Sequence, residues 1–299
     1  MRIDKLAVWI NTMGYPSADL VAFARRLEGW GYGTLWINDG MGSDPMVLAA
    51  KILSDTERLQ VALGVANIYS RDPTMMIGAQ YGLNEQWNGR FLLGLGASHA
   101  FIVEGMRGHS YQKPVATMRA YLDAMAGLDY AGPPPAEKPL TVIAALGPKM
   151  LELARDKVDG AHPYSTTPQH TAMARDILGP GKLLLVEQRV MLESDAGKAR
   201  AVGRGLVSGL ATMPNYRNSL LRMGLIDEDY AGGEVSDAAA DAMVAWGDAL
   251  AIRRRLQEHW DAGADQVAIE VIPKDGALLT AEDEKILEQL APNAEQQLA

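Results

Sequence analysis

The chain contains no cysteine. Disulfides and thiolate metal sites are therefore excluded, and the composition is compatible with a reducing cytoplasm. No apolar run approaches the length of a membrane-spanning helix. The opening residues, MRIDKLAVWI, move straight into a strand without the cleavage pattern of a secretion signal. A soluble, cytoplasmic protein is expected. Basic residues are outnumbered, 28 Lys and Arg against 37 Asp and Glu, for a formal net charge of −9. Phosphate backbones demand basic surface, so nucleic acid is a poor partner. Histidine is scarce, with 5 in 299 residues, none in HExxH-type spacing. His99 and His109 lack companions for a tetrahedral site, so no metal is expected. A GxSxG elbow is missing, and the adjacent Ser98 and His99 face different ways, which argues against a Ser-His-Asp hydrolase.

What is present is alternation. Short apolar runs at residues 6–10, 34–37, 59–65, 91–93, 141–144, 159–162, 183–191 and 266–270 read as strands, and helical segments separate them. Ser17 is a good N-cap for a helix to about Trp30, and Asp44-Pro45 and Asp72-Pro73 each set a carboxylate cap before a proline in the first turn. Residues Thr212 to Ser236 read as irregular, an insertion or lid, before a helix from Asp237 to Trp260; the tail from Ala291 to Ala299 reads as frayed. Eight strands, each followed by a helix, predict one domain over 1–299, an eight-stranded β/α barrel with an insertion before its last strand. A doubly wound open sheet is the competitor, weakened because no GxGxxG follows the first strand.

The stretch from Arg90 to Pro114 organises the functional reading. An apolar run ends in Gly94-Leu95-Gly96 and is followed by Ser98, His99 and Glu104, groups able to carry chemistry. Glycines at a strand end allow a flat ligand close to the backbone. In a barrel the strand ends converge on one mouth. They would bring together Asp39, Ala66-Asn67, Gly96 to His99, Ala144 to Pro148, and His162 to Tyr164, with Trp9, Trp36 and Tyr69 as apolar lining. The turn Ala144-Ala145-Leu146-Gly147-Pro148 opens a helix whose first N–H groups, with Lys149, suit an anion. A plain βα turn explains the same residues equally well.

Several motifs in order resemble the bacterial luciferase-like flavin and deazaflavin oxidoreductases. They are Leu35-Trp36-Ile37-Asn38-Asp39, Leu63-Gly64-Val65-Ala66-Asn67 with Arg71-Asp72-Pro73, Arg90 to Gly96, Ala144 to Pro148, and Val158-Asp159-Gly160. The GLGASH pattern with the later Glu, Gly and Tyr-x-Lys-Pro is most similar to the branch that uses coenzyme F-420. The resemblance implies a luciferase-like TIM barrel, a homodimer, and hydride transfer between F-420 and a small organic substrate. It implies Asp39 as an acid beside the cofactor ring and a non-proline cis peptide at Ala66-Asn67 behind the ring. It further implies cofactor contacts from Gly96, Ala97, Ser98, Ala144, Ala145, Gly147, Pro148, Lys149 and Met150, and a substrate pocket of Trp9, Tyr69, His162 and Tyr164. Gly40 stands where sugar-phosphate dehydrogenases of the family carry a catalytic histidine, so their substrate does not carry over. His99 replaces it as the candidate acid or base, since imidazole titrates near neutrality, with Glu104 and Tyr164 as second choices. The alternatives are an FMN-dependent monooxygenase on the same scaffold and a barrel that binds a ligand without catalysis.

Overall fold

Side-chain alternation along short parallel strands sorts the protein into an inner and an outer apolar layer. The computed structural model describes residues 1–274 and 278–293; most of the tail expected to fray lies outside them. The strands are β1 (Leu6–Ile10), β2 (Thr34–Ile37), β3 (Gln60–Leu63), β4 (Ala66–Asn67), β5 (Phe91–Gly96), β6 (Thr141–Ile143), β7 (Gly160–Ala161), β8 (Leu183–Met191), β9 (Val244–Trp246) and β10 (Gln266–Val271). The helices are α1 (Ser17–Trp30), α2 (Pro45–Asp55), α3 (Pro73–Gln86), α4 (Ala100–Val103), α5 (Pro114–Ala126), α6 (Pro148–Lys157), α7 (Pro168–Leu178), α8 (Ala196–Ala211), α9 (Pro214–Arg222), α10 (Asp237–Met243), α11 (Ala249–Asp261) and α12 (Ala281–Leu290).

Every pairing is parallel, and the ring runs β10-β1-β2-β3-β5-β6-β7-β8. It closes where β8 pairs with β10, from Leu185 opposite Gln266 to Val190 opposite Val271. That closure excludes the open sheet, and the fold is a closed eight-stranded β/α barrel. Inside it Ala7, Trp9, Trp36, Ala62, Leu92, Val142, Leu185 and Ala268 form one buried cluster. Their neighbours in sequence, such as Val8, Leu35, Val61 and Leu93, pack outward beneath the helices. Strands covered on both faces read as continuous apolar runs, so the sequence shows them clearly.

Asp44 accepts hydrogen bonds from the N–H groups of Met46 and Val47, and Asp72 from that of Met75, so both predicted caps form. Three expectations change. Pro16, not Ser17, holds the N-cap position of α1. The segment predicted irregular contains α9. The long helix predicted from Asp237 is broken into α10 and α11 by β9, which pairs with β8 outside the ring, and by Gly247 at φ 119°. In this region α8, α9 and α10 share a small core of their own, including Val207, Leu210, Leu220, Ile226, Ala239 and Met243. Among the described residues, no helix is long and apolar enough to cross a membrane.

Candidate active site

The mouth of the barrel is shaped by a bulge after β3. The Gly64–Val65 peptide is cis, two residues earlier than the sequence suggested. Ala66 and Asn67 are instead ordinary ladder residues, opposite Leu95 and Gly96. Gly64 has no room for a side chain, because a Cβ would stand 2.4 Å from Trp9 Nε1 and 3.0 Å from His162 Nε2. The glycines of β5 serve the same bulge. A Cβ on Gly94 would meet the Leu63 carbonyl oxygen at 1.9 Å, and one on Gly96 would meet Val65 Cγ2 at 2.4 Å. Asp39 braces the bulge from the loop after β2, accepting from the Asn67 N–H (2.9 Å) and from Ser70 Oγ (3.1 Å). Asn67 Oδ1 in turn accepts from the Tyr69 N–H at 2.9 Å.

The strand ends of β5, β6 and β7 open into a cleft of about 540 Å³, roofed by α9. Gly96, Ala97, Ser98 and His99 form one wall, Ala144, Ala145, Gly147, Pro148, Lys149 and Met150 the other, with His162 and Tyr164 below. Twelve of the predicted site residues therefore share one cavity. His99 packs its ring against Phe101 and Tyr216, each with centroids 5.8 Å away. Burial lowers its pKa, and a hydrogen bond with Asn215 offsets only part of this, so the site favours the neutral imidazole.

The remaining predicted residues lie elsewhere. Asp39 borders a separate, more polar cleft of about 480 Å³ with Ser70, Arg71 and Arg107. Ala66 and Asn67 are buried within the bulge. Glu104 is exposed at the end of α4 and accepts from the Tyr111 N–H at 3.1 Å, so it holds the loop that brings Tyr111 to the cleft. Trp9 lies beneath, its ring 5.0 Å from that of Tyr164, and Tyr69 packs 6.2 Å from Tyr111.

One end of the cleft is built for an anion. Gly147 caps α6 without a side-chain hydrogen bond, and proline follows it, so the terminus carries the partial positive charge of a helix start uncovered by a capping oxygen. Lys149 lines this end, and Arg222 reaches over from α9 to donate to the Leu146 carbonyl at 3.2 Å. Arg222 and its helix were missed in the sequence; PNYRNSLLR is short and mostly polar, with only a narrow apolar face of Tyr216, Leu220 and Leu221.

Below the cleft is a polar floor that the sequence reading also missed. Glu187 and Arg189 alternate along β8 and therefore face the same way, toward Glu270 of β10. Tyr164 donates to Glu270 Oε2 at 2.8 Å and accepts from Arg189 Nη2 at 2.5 Å; Arg189 Nε also donates to Glu270 at 3.2 Å. Glu187 is wholly buried; its Oε2 accepts from the Ser165 N–H at 2.7 Å, and its Oε1 has no donor. Burial and then the Glu270 carboxylate push the Glu187 pKa up to about 8, against the pull of Arg189. His162 stacks on Trp36 at 4.0 Å and donates from Nδ1 to the Leu185 carbonyl at 2.7 Å. Burial lowers its pKa to about 4, so it is neutral and its Nε2 is left as an unpartnered acceptor. Two charged residues spaced by one position inside LLLVEQRVM were the available signal.

A cleft at the C-terminal ends of barrel strands, with an anion-accepting end and buried ionisable groups at its base, is the arrangement of a small-molecule β/α-barrel enzyme. Among the described residues no three His, Asp or Glu side chains gather as a metal site. Residues 4–179 match the luciferase-like monooxygenase family, and the chain belongs to it. It is 30% identical over 207 residues to a Mycobacterium tuberculosis protein described as a coenzyme F-420-dependent oxidoreductase, with 59% of each chain covered. It therefore spans less than two thirds of that relative. With the 5,10-methylenetetrahydromethanopterin reductase of Methanolobus tindarius it shares 24% identity over 293 residues, 84% of this chain and 90% of the other. An F-420-dependent secondary alcohol dehydrogenase, solved with an F-420–acetone adduct, superposes with a TM-score of 0.78 at 13% identity, covering 98% of this chain and 99% of that one.

Proposed function

We propose that the protein is an oxidoreductase that transfers a hydride between coenzyme F-420 and a small organic substrate. The observation that carries this reading is the single cleft that joins an anion-accepting end at Gly147 to a polar floor at Tyr164, with His99 on its wall. The residues fit such a coenzyme. Lys149, Arg222 and the start of α6 suit an acidic tail, while the small side chains of Gly96, Ala97, Ser98, Ala144 and Ala145 leave room for a flat ring. Pro148 and Met150 close that end. The coenzyme, when bound, supplies or accepts the hydride.

The chain orients the reactants and keeps water away from them. Asp39, Ala66 and Asn67 act one step back, fixing the bulge whose Val65 side chain borders the cleft. Glu104 sets the Tyr111 loop. Burial lowers the His99 pKa and so favours the neutral imidazole, which would hydrogen-bond the reacting oxygen or nitrogen. His162 and Tyr164 would receive the substrate's polar end at the floor, with Trp9 packed beneath Tyr164, and Tyr69 supports Tyr111 from behind. Replacing His99 by Ala should lower turnover with F-420 by about a hundredfold, the lower range for such groups, while leaving F-420 affinity nearly unchanged. Unchanged turnover would remove His99 from the chemistry.

A further inference from the structure

Hydride transfer to an unsaturated substrate carbon requires an accompanying proton, and the floor of the cleft holds buried acidic groups. We propose that Glu187 and Glu270 hold one proton between their carboxyl groups and that Tyr164 carries it into the cleft to the substrate. The proposal rests on the hydride-transfer reading above and adds the path of the accompanying proton.

Three observations carry it. First, Glu187 is fully buried with one oxygen, Oε2, on the Ser165 N–H and the other, Oε1, without a donor. An ionised carboxylate with an unpartnered buried oxygen is costly. A proton placed there, shared with Glu270, removes the problem, since like carboxylates at one site do not both ionise readily. Second, one cation faces the two acids. The groups turned toward Glu187 are Glu270 from β10, Arg189 from its own strand, Tyr164 from the loop after β7 and Tyr216 from α9. Arg189 balances one carboxylate; the second is neutral when it holds the proton. Third, the hydrogen bonds are continuous as far as the cleft. Glu270 Oε2 accepts from Tyr164 at 2.8 Å, and Tyr164 lines the cleft beside His162.

In the reducing direction, the substrate carbon gains a hydride, the coenzyme is oxidised by two electrons, and negative charge develops on the neighbouring oxygen or nitrogen. Burial and then the Glu270 carboxylate raise the Tyr164 pKa well above its ordinary value, against the pull of Arg189, so its O–H bond breaks only as the proton passes to that more basic atom. The stored proton passes from Glu187 Oε1 to the Glu270 carboxyl group, which turns to present it on the side facing Tyr164; the phenolate oxygen takes it there, Glu270 returns to a carboxylate, and solvent later restores a proton to Glu187. Oxidation runs the same steps backward. Arg189, which donates to the Tyr164 oxygen at 2.5 Å, stabilises the phenolate while it exists. Two paired carboxyls with separated proton affinities are a recurrent way to hold a proton at neutral pH.

The test begins on the cofactor-free protein. Infrared spectra across a pH titration should show the carbonyl band of one buried protonated carboxyl group at pH 7, lost as the pH rises through about 8 and absent from Glu187→Gln. With F-420 added, Tyr164→Phe should keep that band and the coenzyme affinity yet turn over at least about tenfold more slowly, within the range of a lost general acid. Glu187→Gln should be similarly slow and should lose the wild-type rate change near pH 8. A wild-type spectrum without the band, or a band unchanged in Glu187→Gln, overturns the carboxyl pair whichever cofactor the cleft takes. Wild-type turnover in Tyr164→Phe overturns the relay. A band that behaves as described in a protein that neither binds nor turns over F-420 strikes the deazaflavin reading instead, so the two failures are distinguishable.

Discussion

Arg222 is placed to act on an anionic ligand without touching the reacting atoms. It reaches from α9 to the Leu146 carbonyl, beside the start of α6, where it and Lys149 are the positive groups bordering the anion end of the cleft. In a chain of net charge −9 that local excess stands out. A charge-assisted hydrogen bond to an anionic tail contributes about 1.5–3 kcal/mol, so Arg222→Ala should weaken F-420 binding roughly ten- to hundredfold. The loss should shrink as salt is added, because exposed charges are screened. Unaltered affinity at low salt would place the coenzyme tail elsewhere. At this scale the sequence was only partly legible. Lys149 stood in a readable turn, and His99 followed a readable strand end. Arg222 lay in a short, mostly polar stretch, and its position at the cleft depends on the way a distant helix is folded over the mouth.

At the scale of elements, the bulge between β3 and β4 governs the site. It places Val65 at the cleft wall, and it is accommodated because β5 carries Gly94 and Gly96 opposite it. A methyl group at Gly94 would overlap the Leu63 carbonyl oxygen, a backbone atom that cannot turn aside. Gly94→Ala should therefore cost about 1–3 kcal/mol or more, the range for overpacking a filled interior, read as a lower denaturation midpoint. A stability equal to the wild type would mean that the bulge is placed differently. Sequence reasoning took Gly94 as a surface for a flat ligand, because a glycine at a strand end has the same look whether its neighbour is ligand or backbone. The long strands announced themselves, since both faces are buried. The short elements β4 and β9 did not: β4 follows β3 as the end of one apolar run, and β9 lies inside a stretch that reads as a single long helix.

The whole molecule buries ionisable groups in opposite senses, and its stability should record both. His162 and His259 have pKa values lowered by burial to about 4 and about 3, below the ordinary 6.5. The unfolded chain binds more protons there, so their contribution is complete above pH 6.5 and lost as the pH falls toward those values. Glu187, raised to about 8 from the ordinary 4.5, does the reverse, losing its contribution as the pH climbs between those limits. Thus from pH 6.5 to 8 only Glu187 of the three changes. Stability should rise from acid to near pH 6.5, then decline by up to about 1.4 kcal/mol per pH unit. Glu187→Gln should flatten the alkaline side alone; a decline that persists in that variant would contradict a buried neutral Glu187. The barrel itself was legible at this scale from the alternation of strands and helices. Its polar floor was less so, because it is assembled from β8 and β10, some 80 residues apart in sequence, as in Arg189 and Glu270.

On the reading proposed above, the cleft between Gly96 and Gly147 holds a deazaflavin. Equilibrium titration of the purified chain with F-420 and, separately, with FMN tests it directly. The account predicts saturable binding of F-420, tighter than FMN and weakened by Arg222→Ala. Tighter FMN binding accompanied by oxygen-dependent turnover, or no binding of either, would contradict it.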